Sequence, residues 1–153
     1  MTLTALMTVG YEGASIETFL STLLDAGISS LLDIREIASS RRFGFAKTAL
    51  CNNLQSVAIT YRHEPRLGSP RDIRTRLREC GDYANFFREF NGYLATQNTL
   101  VMHLANELAG SVVLLCYERD YNECHRKSVA SAFAGITGLK PTHLRVPSMM
   151  PAQ

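Results

Sequence analysis

Short apolar runs of strand length alternate along this chain with stretches of helical period, and that alternation limits the folds open to it. The first run, "LMTVGY" from Leu6 to Tyr11, is β-branched and ends in Gly, which reads as a buried strand. In the following "SIETFLSTLLDAGI", Ser15 is placed to cap a helix and Ile16, Phe19, Leu20, Leu23 and Leu24 share one face. Thr18 stands at the third helical position, where a capping-box acid is absent, and Gly27 stops the helix. "SSLLDIRE" is a second strand with Asp33 and Arg35 at its C-terminal end, and "IASSRRFGF" is a polar loop without period. "AKTALCNNLQSVAI" reads as a helix, and "TYRHEP" as a third strand stopped by Pro65.

Ser69-Pro70 predicts a helix start with Pro at the first position. Helical material runs from there through "LVMHLANELA", with breaks expected near Gly81 and Gly92. "SVVLLCYE" is the clearest strand in the chain. "NECHRKSVASAFAGITGL" predicts a helix whose first turn holds Cys124, His125 and Arg126, and "THLRV" a last strand. The order β-α-β-α-β, a helical insertion, then β-α-β predicts an α/β fold. The expectation is a single-domain Rossmann-like three-layer sandwich, with a mostly parallel sheet of about five strands and the insertion before the fourth. A closed α/β barrel takes about 250 residues, and this chain has 153. The domain is expected over residues 1–147, with 148–153 as a tail.

Hydrophobic content of 46% and charged content of 20% are those of a globular protein, and a net charge of +2 points to neither nucleic acid nor membrane. No apolar run is long enough to cross a bilayer, and the N-terminus lacks the basic segment of a secretory signal. Cys51, Cys80, Cys116 and Cys124 are scattered through a chain with its own core, which favours reduced thiols and a cytoplasmic protein. The oligomeric state is not legible.

In an open parallel sheet, ligands bind outside the carboxyl ends of the strands. There the chain carries Gly10, Tyr11 and Glu12 after the first strand, and Asp33, Arg35, Ser39, Ser40, Arg41 and Arg42 after the second. Tyr61, His63 and Glu64 follow the third, and Cys116, Glu118, Cys124, His125 and Arg126 the fourth. The bland explanation is that loops are polar wherever strands end. Cys116 and Glu118 alternate along a strand and so project to one side, as do Asp33 and Arg35, which suits a carboxylate–guanidinium pair. A desolvated Glu118 beside a ligand suits acid/base work.

A zinc site from Cys116, Cys124 and His125 has suitable donors, but C-x7-C-H matches no compact zinc knuckle. Adjacent Cys and His also point apart on a helix, so no metal site is expected. A Cys124 nucleophile with His125 as base faces the same objection. A rhodanese or phosphatase loop needs a glycine-rich cradle ending in Arg after a cysteine, and none is present. The start of the last helix, with Arg126, is the clearest anion cradle, and Arg35, Arg41 or Arg42 would complete it from the other side. "SRRFGFAK" offers a second surface, in which Phe43 and Phe45 would stack a base.

Taken in order, "TVGYEG", "DIREIASSRRFGF", "YRHEPRLGS" and "LLCYERDYNECHR" resemble the uncharacterised bacterial and archaeal family known as domain of unknown function 488. The resemblance runs from about Thr8 to Val146. It carries over Gly10, Tyr11, Asp33, Arg35, Ser40, Arg41, Leu67, Gly68, Cys116, Glu118, Cys124, His125 and Arg126. Ala38 departs from the family's usual Pro, which leaves that loop less pre-set. The resemblance implies no settled activity, only a link of some members with nucleic-acid metabolism or repair.

The expectation is thus a small hydrolase or transferase acting on a phosphate-bearing or other anionic substrate, such as a nucleotide or nucleic acid. Catalytic candidates are Glu118, Asp33, Cys116 and Cys124; anion-binding candidates are Gly10, Tyr11, Arg35, Ser40, Arg41, His125 and Arg126. No motif names a cofactor. The alternative is a non-catalytic module that binds nucleotide or nucleic acid.

Overall fold

A computed structural model describes residues 2–148. Its strands and helices run β1 (Leu3–Gly10), α1 (Ile16–Asp25), β2 (Ser30–Asp33), α2 (Lys47–Ser56), β3 (Thr60–His63), α3 (Arg71–Cys80), α4 (Tyr83–Ala95), α5 (Asn98–Glu107), β4 (Gly110–Cys116), α6 (Arg126–Thr137) and β5 (Thr142–His143). Short 3-10 turns occupy Pro65–Leu67 and Tyr121–Glu123. The strands make one all-parallel five-stranded sheet in the order β3-β2-β4-β1-β5. This is a single-domain α/β fold, as the alternation of runs predicts. Of the expected tail, residues 149–153 lie outside the described residues.

Side chains alternate across a strand, so each central strand feeds two cores. On one face Leu6, Leu32, Val112 and Leu114 meet Ile73 of α3, Phe86 and Phe90 of α4, Leu104 of α5 and Phe133 of α6. On the other, Met7, Val9, Leu31, Val113 and Leu115 meet Phe19 and Leu23 of α1 and Leu50 and Leu54 of α2. Both faces are covered, which is why β4 reads as a continuous apolar run rather than an alternating one.

Local chemistry sets the helix ends. The Ser15 hydroxyl oxygen accepts from the Thr18 N–H at 3.1 Å and its O–H donates to Thr18 Oγ1 at 2.9 Å, so Ser15 caps α1 as expected. Gly81 ends α3 in the left-handed conformation at φ 66°, as expected. Gly92 does not break a helix: it lies inside α4, and the chain turns only at Thr96–Gln97. A lone helical glycine costs about 1 kcal/mol, less than the burial of Phe86, Phe90 and Leu94 on the same helix returns. Pro70 caps α3 from outside rather than opening it.

Two boundaries matter for the site. β4 stops at Cys116, leaving Tyr117 and Glu118 in a loop, and α6 starts at Arg126, so Cys124 and His125 precede the helix instead of forming its first turn. The carboxyl ends of the three central strands are level, with Gly10 opposite Cys116 and Asp33 opposite Leu115. From β2 the chain goes on to β3 at one edge, and from β4 to β5 at the other. The connections diverge between β2 and β4, which creates a crevice there.

Candidate functional site

That crevice is a cavity of about 430 Å³, a size suited to a small ligand. One wall comes from the loop after β2 and from the insertion, with Arg35, Glu36, Ser39, Ser40, Ser69, Arg74 and Phe86. The other carries Tyr11, Cys116, Tyr117, Glu118, Glu123 and His125.

The β2 end is braced from beneath. Both Asp33 oxygens are used: Oδ1 accepts from Arg35 Nε at 2.9 Å, and Oδ2 from Arg35 Nη2 at 2.7 Å and Tyr61 O–H at 2.6 Å. Arg35 Nη1 donates to the Phe45 carbonyl at 2.8 Å and to Tyr11 Oη at 3.2 Å. Burial works against the Arg35 charge, but the paired Asp33 holds the guanidinium above its ordinary value. Burial and Asp33 together push the Tyr61 hydroxyl up. The carboxylate–guanidinium pair expected from the sequence is therefore present, as a wall brace. Asp33 itself is fully buried and turned to this brace, not to the cavity.

The loop after β4 carries the reactive groups. Cys116 Sγ lies 3.6 Å from Glu118 Oε2 and 3.5 Å from His125 Nδ1, and Cys124 Sγ lies 3.9 Å from the same Nδ1. Cys116 and Glu118 do share a side, but through the loop after the strand rather than through strand alternation. Among the described residues, Cys116, Cys124 and His125 form the group whose donor atoms all lie within 4.8 Å of one another. The expectation that neighbouring Cys124 and His125 diverge fails because they precede the helix: Cys124 is extended at φ −134°, ψ 141°.

Burial and the Cys124 thiolate push the Glu118 carboxyl up to about 7. Burial and the same neighbour push the Cys116 thiol up. Burial opposes ionisation of Cys124, yet the hydrogen bond from Cys116 and the positive His125 and Arg126 outweigh it and bring its thiol well below the usual range. For His125, burial works against the charge, but the Cys124 thiolate raises its affinity for a proton. His125 Nε2 donates to the Ile34 carbonyl at 2.9 Å, which locks the ring across the β2–β4 crevice.

Several expected site residues have other places. Arg126 is 1% exposed and does not line the cavity. Its Nε donates to Thr8 Oγ1 at 3.2 Å, its Nη2 to the Arg119 carbonyl at 3.1 Å and its Nη1 to the Glu118 carbonyl. It therefore shapes the Glu118 loop from behind and lies outside the β2–β4 cavity, on a separate pocket with Arg119, His143 and Arg145. Gly10 supplies room: a Cβ there would overlap the Glu118 carbonyl. Arg41 is exposed and outside the cavity, whereas Ser40 lines it and accepts from the Arg42 N–H at 3.1 Å, helping to close the loop that lacks Pro. Phe45 is fully buried and stacks on Tyr11 at 4.5 Å, so it cannot stack a base; Phe43 is 82% exposed. His63 Nε2 donates to the Arg35 carbonyl at 2.7 Å and braces the β2 end.

Sequence reasoning missed Ser69, Arg74, Phe86 and Glu123. Arg74 Nη1 pairs with Glu36 Oε1 at 2.8 Å and donates to the Ser69 carbonyl. Ser69 Oγ is the one buried side-chain oxygen or nitrogen among the described residues with no hydrogen-bond partner. A clue lay in "RLGS": Gly68 is packed so tightly on Glu36 that a Cβ would overlap its backbone, which delivers Ser69 to the cavity.

Fold and site together define an α/β protein with a ligand-sized cleft at the carboxyl ends of a parallel sheet, walled by a thiol, an imidazole, carboxylates and arginines. The chain matches the family model described as domain of unknown function DUF488 over residues 15–133, and it belongs to that family. No curated protein and no solved structure matches it. No helix among the described residues is long and apolar enough to cross a membrane.

Proposed function

We propose that this protein is a small enzyme acting on an anionic, phosphate- or carboxylate-bearing molecule held in the β2–β4 cleft. The observation that carries the reading is convergence: groups able to hold an anion and groups able to do chemistry line one cavity. Ser39, Ser40, the unpartnered Ser69 hydroxyl and Arg74, which shares its charge with Glu36, receive the charged end. Tyr11, Tyr117 and Phe86 offer apolar surface to the body of the substrate, and Glu118 stands opposite as the proton-transfer group. A hydrolase or a transferase fits this layout.

A thermal-shift screen against nucleotides, sugar phosphates and small carboxylates tests it. A ligand at a hundred times its dissociation constant adds about 2.7 kcal/mol of stability. The shift is expected to fall away in Arg74→Ala and to survive in Glu118→Gln, which in turn loses turnover of the compound found. If no anion shifts the melting curve, or if the shift persists in Arg74→Ala, the reading fails.

The second reading is a nucleic-acid binding module, favoured by one observation: Phe43 is 82% exposed next to the exposed Arg41. Oligonucleotide binding that weakens steeply with salt, is lost in Phe43→Ala and yields no product would favour it over the enzyme.

A further inference from the structure

We infer that Cys116, Cys124 and His125 form a binding site for a zinc-class transition-metal ion at the floor of the cleft. Soft thiolates with an imidazole are the donor set that zinc and cobalt take in proteins. With metal–sulfur bonds of about 2.3 Å and metal–nitrogen bonds of about 2.0 Å at tetrahedral angles, sulfur and nitrogen ligands stand about 3.5 Å apart. The Sγ atoms of Cys116 and Cys124 lie 3.5 and 3.9 Å from His125 Nδ1, and the three donors fit within 4.8 Å.

The surroundings match as well. The Ile34 carbonyl can only accept, so His125 Nε2 carries a hydrogen, and in the neutral ring the lone pair sits on Nδ1, the ring nitrogen nearer to Cys116 Sγ, at 3.5 Å against 3.9 Å for Nε2. This is the carbonyl-held imidazole arrangement that orients metal-ligating histidines. The backbone N–H of Arg126 points at Cys124 Sγ, 3.5 Å away, and favours the thiolate a metal requires. Buried cysteines are often plain core residues, but a plain core does not bring two sulfurs to one oriented imidazole nitrogen.

Cys116 and His125 border the cavity and Cys124 does not, so an ion held by the three would lie at the edge of the cleft, with Glu118 Oε2 3.6 Å from Cys116 Sγ as a neighbouring group. Three protein ligands beside a cavity are the number found in catalytic zinc sites, whereas structural sites use four. The inference goes beyond the enzyme reading and does not depend on it, because metal uptake is measured with no substrate present.

The protein, reduced and stripped with a chelator, is titrated with Co²⁺ and followed by absorption. Sulfur-to-cobalt charge-transfer bands and the visible bands of tetrahedral cobalt should saturate at one ion per chain, and Zn²⁺ should bleach them. Cys116→Ser and Cys124→Ser should each lose or shift the charge-transfer band while keeping the wild-type circular dichroism; Cys51→Ser and Cys80→Ser should leave it unchanged. The inference is overturned if the reduced wild-type protein gives no charge-transfer band. It is equally overturned if the band is the same in both the Cys116→Ser and Cys124→Ser proteins. Isolation with a Cys116–Cys124 disulfide, followed by no cobalt uptake after reduction, would instead assign the pair to thiol redox chemistry.

Discussion

At Gly10 the backbone of β1 passes so close to the Glu118 carbonyl that a methyl group has no room. Gly10→Ala therefore has to displace the loop that holds Glu118. Overpacking of this kind costs about 1–3 kcal/mol, read from the urea midpoint, and the displaced loop should also weaken ligand binding. Asp33 is a sharper case. It is fully buried and neutralises an Arg35 that is 6% exposed, so Asp33→Asn strands a buried guanidinium. Removing one partner of such a pair costs about 3–5 kcal/mol, and denaturant unfolding should show a loss of that size. A loss below about 1 kcal/mol would mean that water reaches Arg35 once its partner is gone. Both residues were visible in the sequence as site candidates. Their role was not, because a string of letters does not say whether a carboxylate faces a cavity or a buried arginine.

At the level of elements, helix and strand identities were legible because period and end signals agreed: Ser15 does cap α1, and Gly81 does end α3. Gly92 was misread because its local signal is weaker than the apolar stripe of Phe86, Phe90 and Leu94 that carries α4 past it. The site depended on two boundaries that periodicity resolves poorly. Moving the start of α6 from before Cys124 to Arg126 turns two diverging neighbours into a convergent pair of donors. The insertion's share of the cleft, Arg74 and Phe86, was invisible because nothing local says which sheet edge a helix packs over. Gly92 also gives a prediction of opposite sign to Gly10. It is exposed, and a Cβ there meets nothing within 4 Å. Gly92→Ala should stabilise the protein by about 0.5–1 kcal/mol, measured as a higher urea midpoint with an unchanged slope.

On the scale of the whole molecule, stability should be graded across the sheet. β1, β2 and β4 are the inner strands, whereas β3 has an exposed-to-intermediate pattern and β5 is two residues long. Amide hydrogen exchange should be slowest in Leu6–Val9, Leu31–Leu32 and Val112–Leu115, near the global unfolding limit, and measurably faster in Thr60–His63 and Thr142–His143. Equal protection at the edges and centre would mean that the edges are held as firmly as the middle.

The strand order has a consequence for how the chain is made. β1 and β2 do not pair with each other; each pairs with β4, which begins at Gly110. While a ribosome is still adding the residues before it, the two earlier strands flank an empty slot, with β2 paired to β3 alone and β1 to no strand. The central sheet can close only when roughly three-quarters of the chain has emerged, and Cys116, Glu118, Cys124 and His125 arrive on or just after the strand that closes it. Synthesis is thus nearly over before the cleft exists, so an incomplete chain carries neither a finished core nor a reactive thiol cluster.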